Sequence, residues 1–186
     1  NSFRKRLLMN TRAAWQIELS QCITDTTTLI DCLDLPADWV DKNMLSLPTF
    51  PLKVPRAYLS RIKKQDPNDP LLLQILPVTQ ELTNTNGYTH DPLAEKQYNP
   101  IPGVLHKYAS RILVTTAGAC SINCRYCFRR HFPYENNAFN TAHWDHIKNY
   151  LHQHQKVNEV ILSGGEPLLL KDSQVLNIFQ RISQVP

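Results

Sequence analysis

Arg111-Ile-Leu-Val-Thr-Thr-Ala-Gly-Ala-Cys120-Ser-Ile-Asn-Cys124-Arg-Tyr-Cys127 runs an apolar segment directly into a C-x3-C-x2-C loop. Arg111 to Thr116 reads as a strand, with Ile112 to Val114 its buried middle. Three thiols within eight residues are too close for ordinary core packing. They can converge on one metal centre if the loop folds around it. Cysteine is the soft ligand for zinc and for iron–sulfur clusters. Three thiolates on a four-iron cluster leave one iron without a protein ligand, and an open metal position is where a small molecule binds and reacts. Two alternatives stand beside this reading. His131 has ligand-like spacing for a Cys3His zinc site, and the thiols can simply be packed. A disulfide framework is disfavoured by the odd number of cysteines, five, by the absence of a visible secretory segment, and by a size that needs no staples.

Downstream, Thr141 is placed to cap a helix with Trp144, Ile147 and Leu151 on one face. Val157 to Leu162 reads as a second buried strand, and Ser163-Gly-Gly-Glu-Pro167 as a turn. Asp172 or Ser173 then caps a helix expected to turn Val175, Leu176, Phe179 and Ile182 inward. Strand–helix–strand–helix is the grammar of a parallel α/β sheet. Parallel strands are normally buried on both faces and belong to larger sheets, and two units can neither close a barrel nor cover their own edges. Further strands are therefore expected, and the chain reads as a fragment that starts at Asn1 and stops at Pro186. Ligands in such folds bind at the carboxyl ends of strands. The cysteine loop and Gly164-Gly165-Glu166-Pro167 both lie at that end. Glycines let a backbone approach a ligand closely. By itself the same tetrapeptide is also a turn with proline opening a helix.

Upstream, residues 1 to about 47 read as helical. Trp15, Leu19, Cys22 and Ile23 recur at helical spacing after an Asn10 or Thr11 cap. Leu29, Ile30 and Leu33 mark a second helix after Thr26-Thr27-Thr28, and Pro36-Ala-Asp-Trp39 opens a third. Cys22 and Cys32 fall on the apolar faces and read as packed thiols. Residues 48–103 are rich in proline, which favours short helices, turns and extended segments. A helix fits Arg56 to Lys64, another opens at Asp69-Pro70, and Leu71 to Leu76 is too apolar for solvent. The domain expectation is a helical and proline-rich region, 1–103, wrapping an α/β core that begins at 104 and runs to 186. His143, His146, His152 and His154 read as a solvated helix face.

The 186 residues suffice for a sizeable core, and 42% hydrophobic content marks a globular chain. No apolar run reaches membrane-spanning length. Grouped reduced cysteines suggest a cytoplasmic protein. A net charge of +4 suits anionic ligands and is weak support for nucleic acid binding.

Cys120, Cys124 and Cys127, with Tyr126 before the third cysteine, resemble the signature of the radical S-adenosylmethionine superfamily. Ser163-Gly-Gly-Glu166 resembles its second motif. Asp91-Pro-Leu-Ala-Glu95, Pro102-Gly-Val-Leu-His-Lys-Tyr108, Arg111 and Cys127-Phe-Arg-Arg130 narrow the resemblance to lysine 2,3-aminomutase. Cys127-Phe-Arg-Arg-His-Phe-Pro-Tyr134, with Asn68-Asp-Pro-Leu-Leu-Leu-Gln upstream, is similar to the branch that makes (R)-β-lysine for elongation factor P.

That resemblance implies a partial (βα)6 barrel with two βα units present. It implies a [4Fe-4S] cluster on the three cysteines and S-adenosylmethionine near Tyr126, Ser163, Gly164, Gly165 and Glu166. It also implies pyridoxal phosphate, with Lys107, Tyr108 and Arg111 on the phosphate side, and Arg129 on the substrate α-carboxylate. Lysine is the implied substrate and a flavodoxin- or ferredoxin-type protein the implied electron donor. Neither nucleic acid nor membrane is implied as a partner. No residue matches the family's Schiff-base lysine, and Lys156 and Lys171 are not substitutes, so no catalytic residue is assigned and the chain alone is expected to be inactive. Two other functions are considered. One is a different radical S-adenosylmethionine enzyme. The other is a zinc-dependent nucleic-acid-binding module using His131 as ligand, with Arg125, Arg129 and Arg130 on phosphates.

Overall fold

A computed structural model of the chain describes residues 12–44, 50–137 and 143–185. The Asn10, Thr11 and Thr141 caps lie outside them. By its internal packing the chain divides into two units, Asn1–Thr83 with Ser121–Tyr126, and Asn84–Cys120 with Cys127–Pro186.

The first unit is built from short helices. Helix α1 is Ala14–Ser20, α2 Thr26–Leu33, α3 Ala37–Asn43 and α4 Arg56–Leu59. Helix α2 begins at Thr26 and so includes the threonine cluster expected to precede it; the Asp25 carboxylate caps it, accepting from the backbone N–H groups of Thr27 and Thr28. Asp34 ends the helix in the left-handed region, at φ +49°. Glu18 on α1 accepts from the Ala57 N–H at 2.8 Å, satisfying one of the orphan donors at the start of α4. The expected Arg56–Lys64 helix stops after one turn. The Lys63 N–H donates to the Asp69 carboxylate instead, and Gln65 turns the chain at φ +58°. Leu29, Leu33, Val54, Leu72, Ile75 and Leu76 are buried in one core, with Cys32 packed against it. The apolar run Leu71 to Leu76 thus faces the interior, as its composition requires.

The second unit carries a three-stranded sheet. Strand β1, Val104–Tyr108, pairs antiparallel with β2, Arg111–Ala117, which pairs parallel with β3, Glu159–Gly164. Helices α5, Tyr134–Asn137, and α6, His143–Gln153, lie between β2 and β3, and α7, Asp172–Ile182, follows β3. Residues alternate across the sheet. Val104, Ile112 and Val114 face Trp144, Ile147 and Leu151 of α6 in a second core, while Leu105, Leu113 and Ile161 line a cavity. Asn137 fastens the start of β1, accepting from the Gly103 N–H at 2.9 Å.

Two expectations are corrected here. Helix α7 buries Ile178, with Ile182 and Val185 against the core, whereas Leu176 and Phe179 are 59% and 54% exposed. A 3.6-residue period allows both rotations, and Ile178 selects one. On β3, Ile161 is 37% exposed, because no strand among the described residues pairs with its outer edge. Among the histidines, His146 and His152 are exposed, but His154 stacks on Tyr150 with ring centres 3.9 Å apart.

Candidate active site

In the second unit, the loops after β2 and β3 meet at the carboxyl end of the parallel pair. The Gly165 N–H donates to the Ala117 carbonyl at 2.6 Å and the Glu166 N–H to the Ala119 carbonyl at 2.9 Å. The glycines answer to this approach. A Cβ on Gly164 would lie 2.2 Å from the Ala117 oxygen, and one on Gly165 2.3 Å from the Ala119 oxygen. Gly164 also takes φ +107°. Chain 117–119, leading into Cys120, is thereby stitched to the second motif. The Glu166 carboxylate accepts from the Leu168 N–H at 2.9 Å and, with Pro167, opens a short 3-10 turn.

None of the three loop cysteines is in a disulfide, and all are half-buried. Cys120 and Cys127 belong to the second unit and Cys124 to the first. Near the first two lies Tyr134, whose hydroxyl pKa is pushed up to about 12. Burial is the main cause, the Arg129 charge opposes it, and Cys127, Cys120 and Glu95 reinforce it. Among the described residues no group of three or more His, Cys, Asp or Glu side chains forms a single-ion site. His131 is placed edge-on against His90, ring centres 4.4 Å apart. Burial, with His90, Arg130 and Lys96, lowers its pKa. Cys120 and Cys127 are the thiols of the second unit, and reduced thiols suit an iron–sulfur cluster.

In the first unit, Ser121–Tyr126 is held by its own bonds. The Asn123 side chain donates to the Pro51 carbonyl, the Arg125 N–H to that of Gln74, and the Tyr126 hydroxyl to Gln74 Oε1 at 3.2 Å. Arg125 ion-pairs with Glu81 at 3.1 Å.

A cavity of about 260 Å³ lies on the sheet face opposite α6. Its floor is Leu105, Leu113 and Ile161, and its polar wall is Lys107, Tyr108, Arg111, Arg129 and Glu95. Lys107 donates to the Leu93 carbonyl at 2.9 Å and sits 5.4 Å from the Tyr98 ring centre. Arg111 pairs with Glu159 at 3.0 Å, each about half exposed, so the pair is worth little to stability. Arg129 is deeper. Its Nη2 donates to Glu95 Oε1 at 2.7 Å, its Nε to Oε2 at 2.9 Å, and its Nη1 to Ser163 Oγ at 2.9 Å. Burial works against its charge, but Glu95 outweighs this and raises its pKa, so Arg129 stays cationic. An apolar floor under a row of cations fits an anionic ring cofactor such as pyridoxal phosphate.

Lys107, Tyr108, Arg111 and Arg129 therefore share one cavity, and Ser163 touches Arg129 directly. Both Arg125 and Arg129, which the nucleic-acid reading places on phosphates, are paired with carboxylates. Glu95 and Tyr134 had no assigned role in the sequence. Glu95 was visible there only as the end of Asp91-Pro-Leu-Ala-Glu95.

Residues 114–181 match the family model of the radical SAM superfamily. Over a longer stretch the chain is similar to proteins named L-lysine 2,3-aminomutase. It is 42% identical to that of Buchnera aphidicola over 182 residues, 97% of this chain and 54% of the relative. The Haemophilus influenzae protein is 38% identical over 92% of this chain and 51% of the relative. The Escherichia coli protein is 38% identical over 94% and 51%. The chain spans about half the length of the curated relatives it matches.

Proposed function

We propose that the chain supplies the cluster-binding and carboxylate-binding part of a lysine 2,3-aminomutase, an isomerase that moves the lysine amino group from C2 to C3. The observation that carries this reading is the fixed Arg129 guanidinium, which shares a cation-rich cavity and touches the strand that leads into the second motif. Cys120, Cys124 and Cys127 hold the cluster. Tyr126 and Ser163 to Glu166 bind S-adenosylmethionine. Lys107, Tyr108 and Arg111 face the phosphate of pyridoxal phosphate. When bound, these groups supply a one-electron donor, a hydrogen-abstracting radical and an electron sink for the migrating nitrogen.

The protein's own task is placement. Arg129 grips the α-carboxylate with paired N–H donors, which suits a planar fork better than an ammonium. The apolar floor keeps water from the reacting atoms. The aldehyde-binding lysine has no counterpart among these residues. Destination of the product to elongation factor P and reduction by a flavodoxin- or ferredoxin-type donor rest on resemblance alone. No helix among the described residues is long and apolar enough to cross a membrane.

The test is anaerobic turnover of L-lysine by the intact, reconstituted protein with S-adenosylmethionine, pyridoxal phosphate and a reductant. β-Lysine formation that requires all three supports the reading. Cleavage of S-adenosylmethionine without β-lysine, across lysine and other amino acids, overturns it in favour of another radical chemistry.

A further inference from the structure

The guanidinium of Arg129 has five N–H donors. Glu95 takes the one on Nε and one on Nη2, approaching from the side, and Ser163 takes one on Nη1. Two N–H groups remain, one on each terminal nitrogen. The Arg129 and Glu95 side chains are only 10% and 12% exposed.

Both partners are themselves fixed. The Asp91 carboxylate accepts from the backbone N–H groups of Glu95, at 2.8 Å, and Lys96, at 3.1 Å. That closes a turn in which Ala94 takes φ +54°. Ser163 sits on β3, its carbonyl accepting from the Thr116 hydroxyl at 3.2 Å. Asp91, Glu95, Arg129 and Ser163 thus form one continuous chain of hydrogen bonds from a surface turn to the sheet.

We propose that Glu95 is a positioning residue, which holds Arg129 from the side so that its Nη1–Nη2 end is offered to a single ligand carboxylate. The proposal rests on the aminomutase reading and goes beyond it, because that reading gives Glu95 no part. Without Glu95 the arginine has several rotamers and must be ordered by the ligand at an entropic cost. With it, the fork is set before the ligand arrives.

The experiment compares equilibrium binding of L-lysine and L-lysinamide to the intact, reconstituted protein by calorimetry, without reductant or S-adenosylmethionine. Lysinamide keeps both amines and lacks the carboxylate. A charge-assisted bidentate contact predicts that the wild-type protein prefers lysine by roughly 10- to 100-fold. Glu95→Gln is expected to cut that preference about tenfold while lysinamide affinity changes less than about twofold. An unchanged preference in a folded Glu95→Gln protein overturns the proposal. Should that variant fail to fold by circular dichroism, Glu95→Asp decides. It keeps the charge but is one methylene too short to reach both Nε and Nη2 from its place in the turn, so the preference must fall, and an unchanged one overturns the proposal. A wild-type protein that does not distinguish lysine from its amide overturns both the proposal and the carboxylate role of Arg129. A wild-type protein that binds another amino acid overturns only the substrate, and the Glu95 role is then decided on that acid and its amide.

Discussion

Individual residues act here mainly by satisfying backbone groups. The Asp69 carboxylate is 8% exposed and accepts from the N–H groups of Lys63, Leu71 and Leu72. Burial raises its pKa, but these donors and the Lys63 charge outweigh that and hold it below the ordinary carboxylate value. Its contribution to stability is therefore present above the unfolded pKa of roughly 3.9, and is lost as pH falls through the lower folded value. Asp69→Ala should cost about 1–2 kcal/mol at pH 7 in urea unfolding, a deficit that narrows below about pH 4. Gly165→Ala should cost more, over about 3 kcal/mol, because its Cβ meets backbone at 2.3 Å. Gly87→Ala, at φ +88° but with open space around it, should cost only about 1 kcal/mol. Equal losses at the two glycines would contradict the account. The sequence marked Gly164 and Gly165 as special through their place after an apolar run. It gave no sign of the carbonyls of Ala117 and Ala119 that they meet, which lie more than forty residues away in the chain.

At the scale of elements, β2 and β3 were legible because each is an uninterrupted apolar run before a turn. Strand β1 was not. Val104-Leu-His-Lys-Tyr108 ends in polar residues, and its connection to Arg111 has none of the Asn-Gly chemistry that announces a hairpin. Helix α6 was read correctly from Trp144, Ile147 and Leu151, all buried. On helix α7 the inward reading holds for Ile182 but not for Leu176 and Phe179, and it missed Ile178, because the apolar residues satisfy two adjacent faces and the choice between them is tertiary. This difference is measurable. Ile178→Ala should cost about 2–4 kcal/mol, whereas Phe179→Ser should change stability by less than about 0.5 kcal/mol. The reverse order would restore the sequence-based face.

For the whole molecule, composition separated a helical, proline-rich part from an α/β part. It gave no sign that Ser121–Tyr126 returns to the first unit. That return is made by Ile122 in the core and by hydrogen bonds from Asn123, Arg125 and Tyr126 to residues about fifty to seventy positions earlier. No local pattern encodes such pairing. The cysteine reading depends on none of it, since spacing alone selects thiolate chemistry. Alanine at Cys120, Cys124 or Cys127 should each abolish cluster absorbance in anaerobically reconstituted protein, while His131→Ala should leave it intact. A zinc site completed by His131 requires the opposite for that histidine.

The most direct test is iron, acid-labile sulfide and electron paramagnetic resonance analysis of the anaerobically reconstituted intact protein, with and without S-adenosylmethionine. About four irons and four sulfides per chain are expected, with a reduced-cluster signal that shifts when S-adenosylmethionine is added. Stoichiometric zinc without sulfide, or a cluster signal indifferent to S-adenosylmethionine, would contradict the open-iron site on which the account stands.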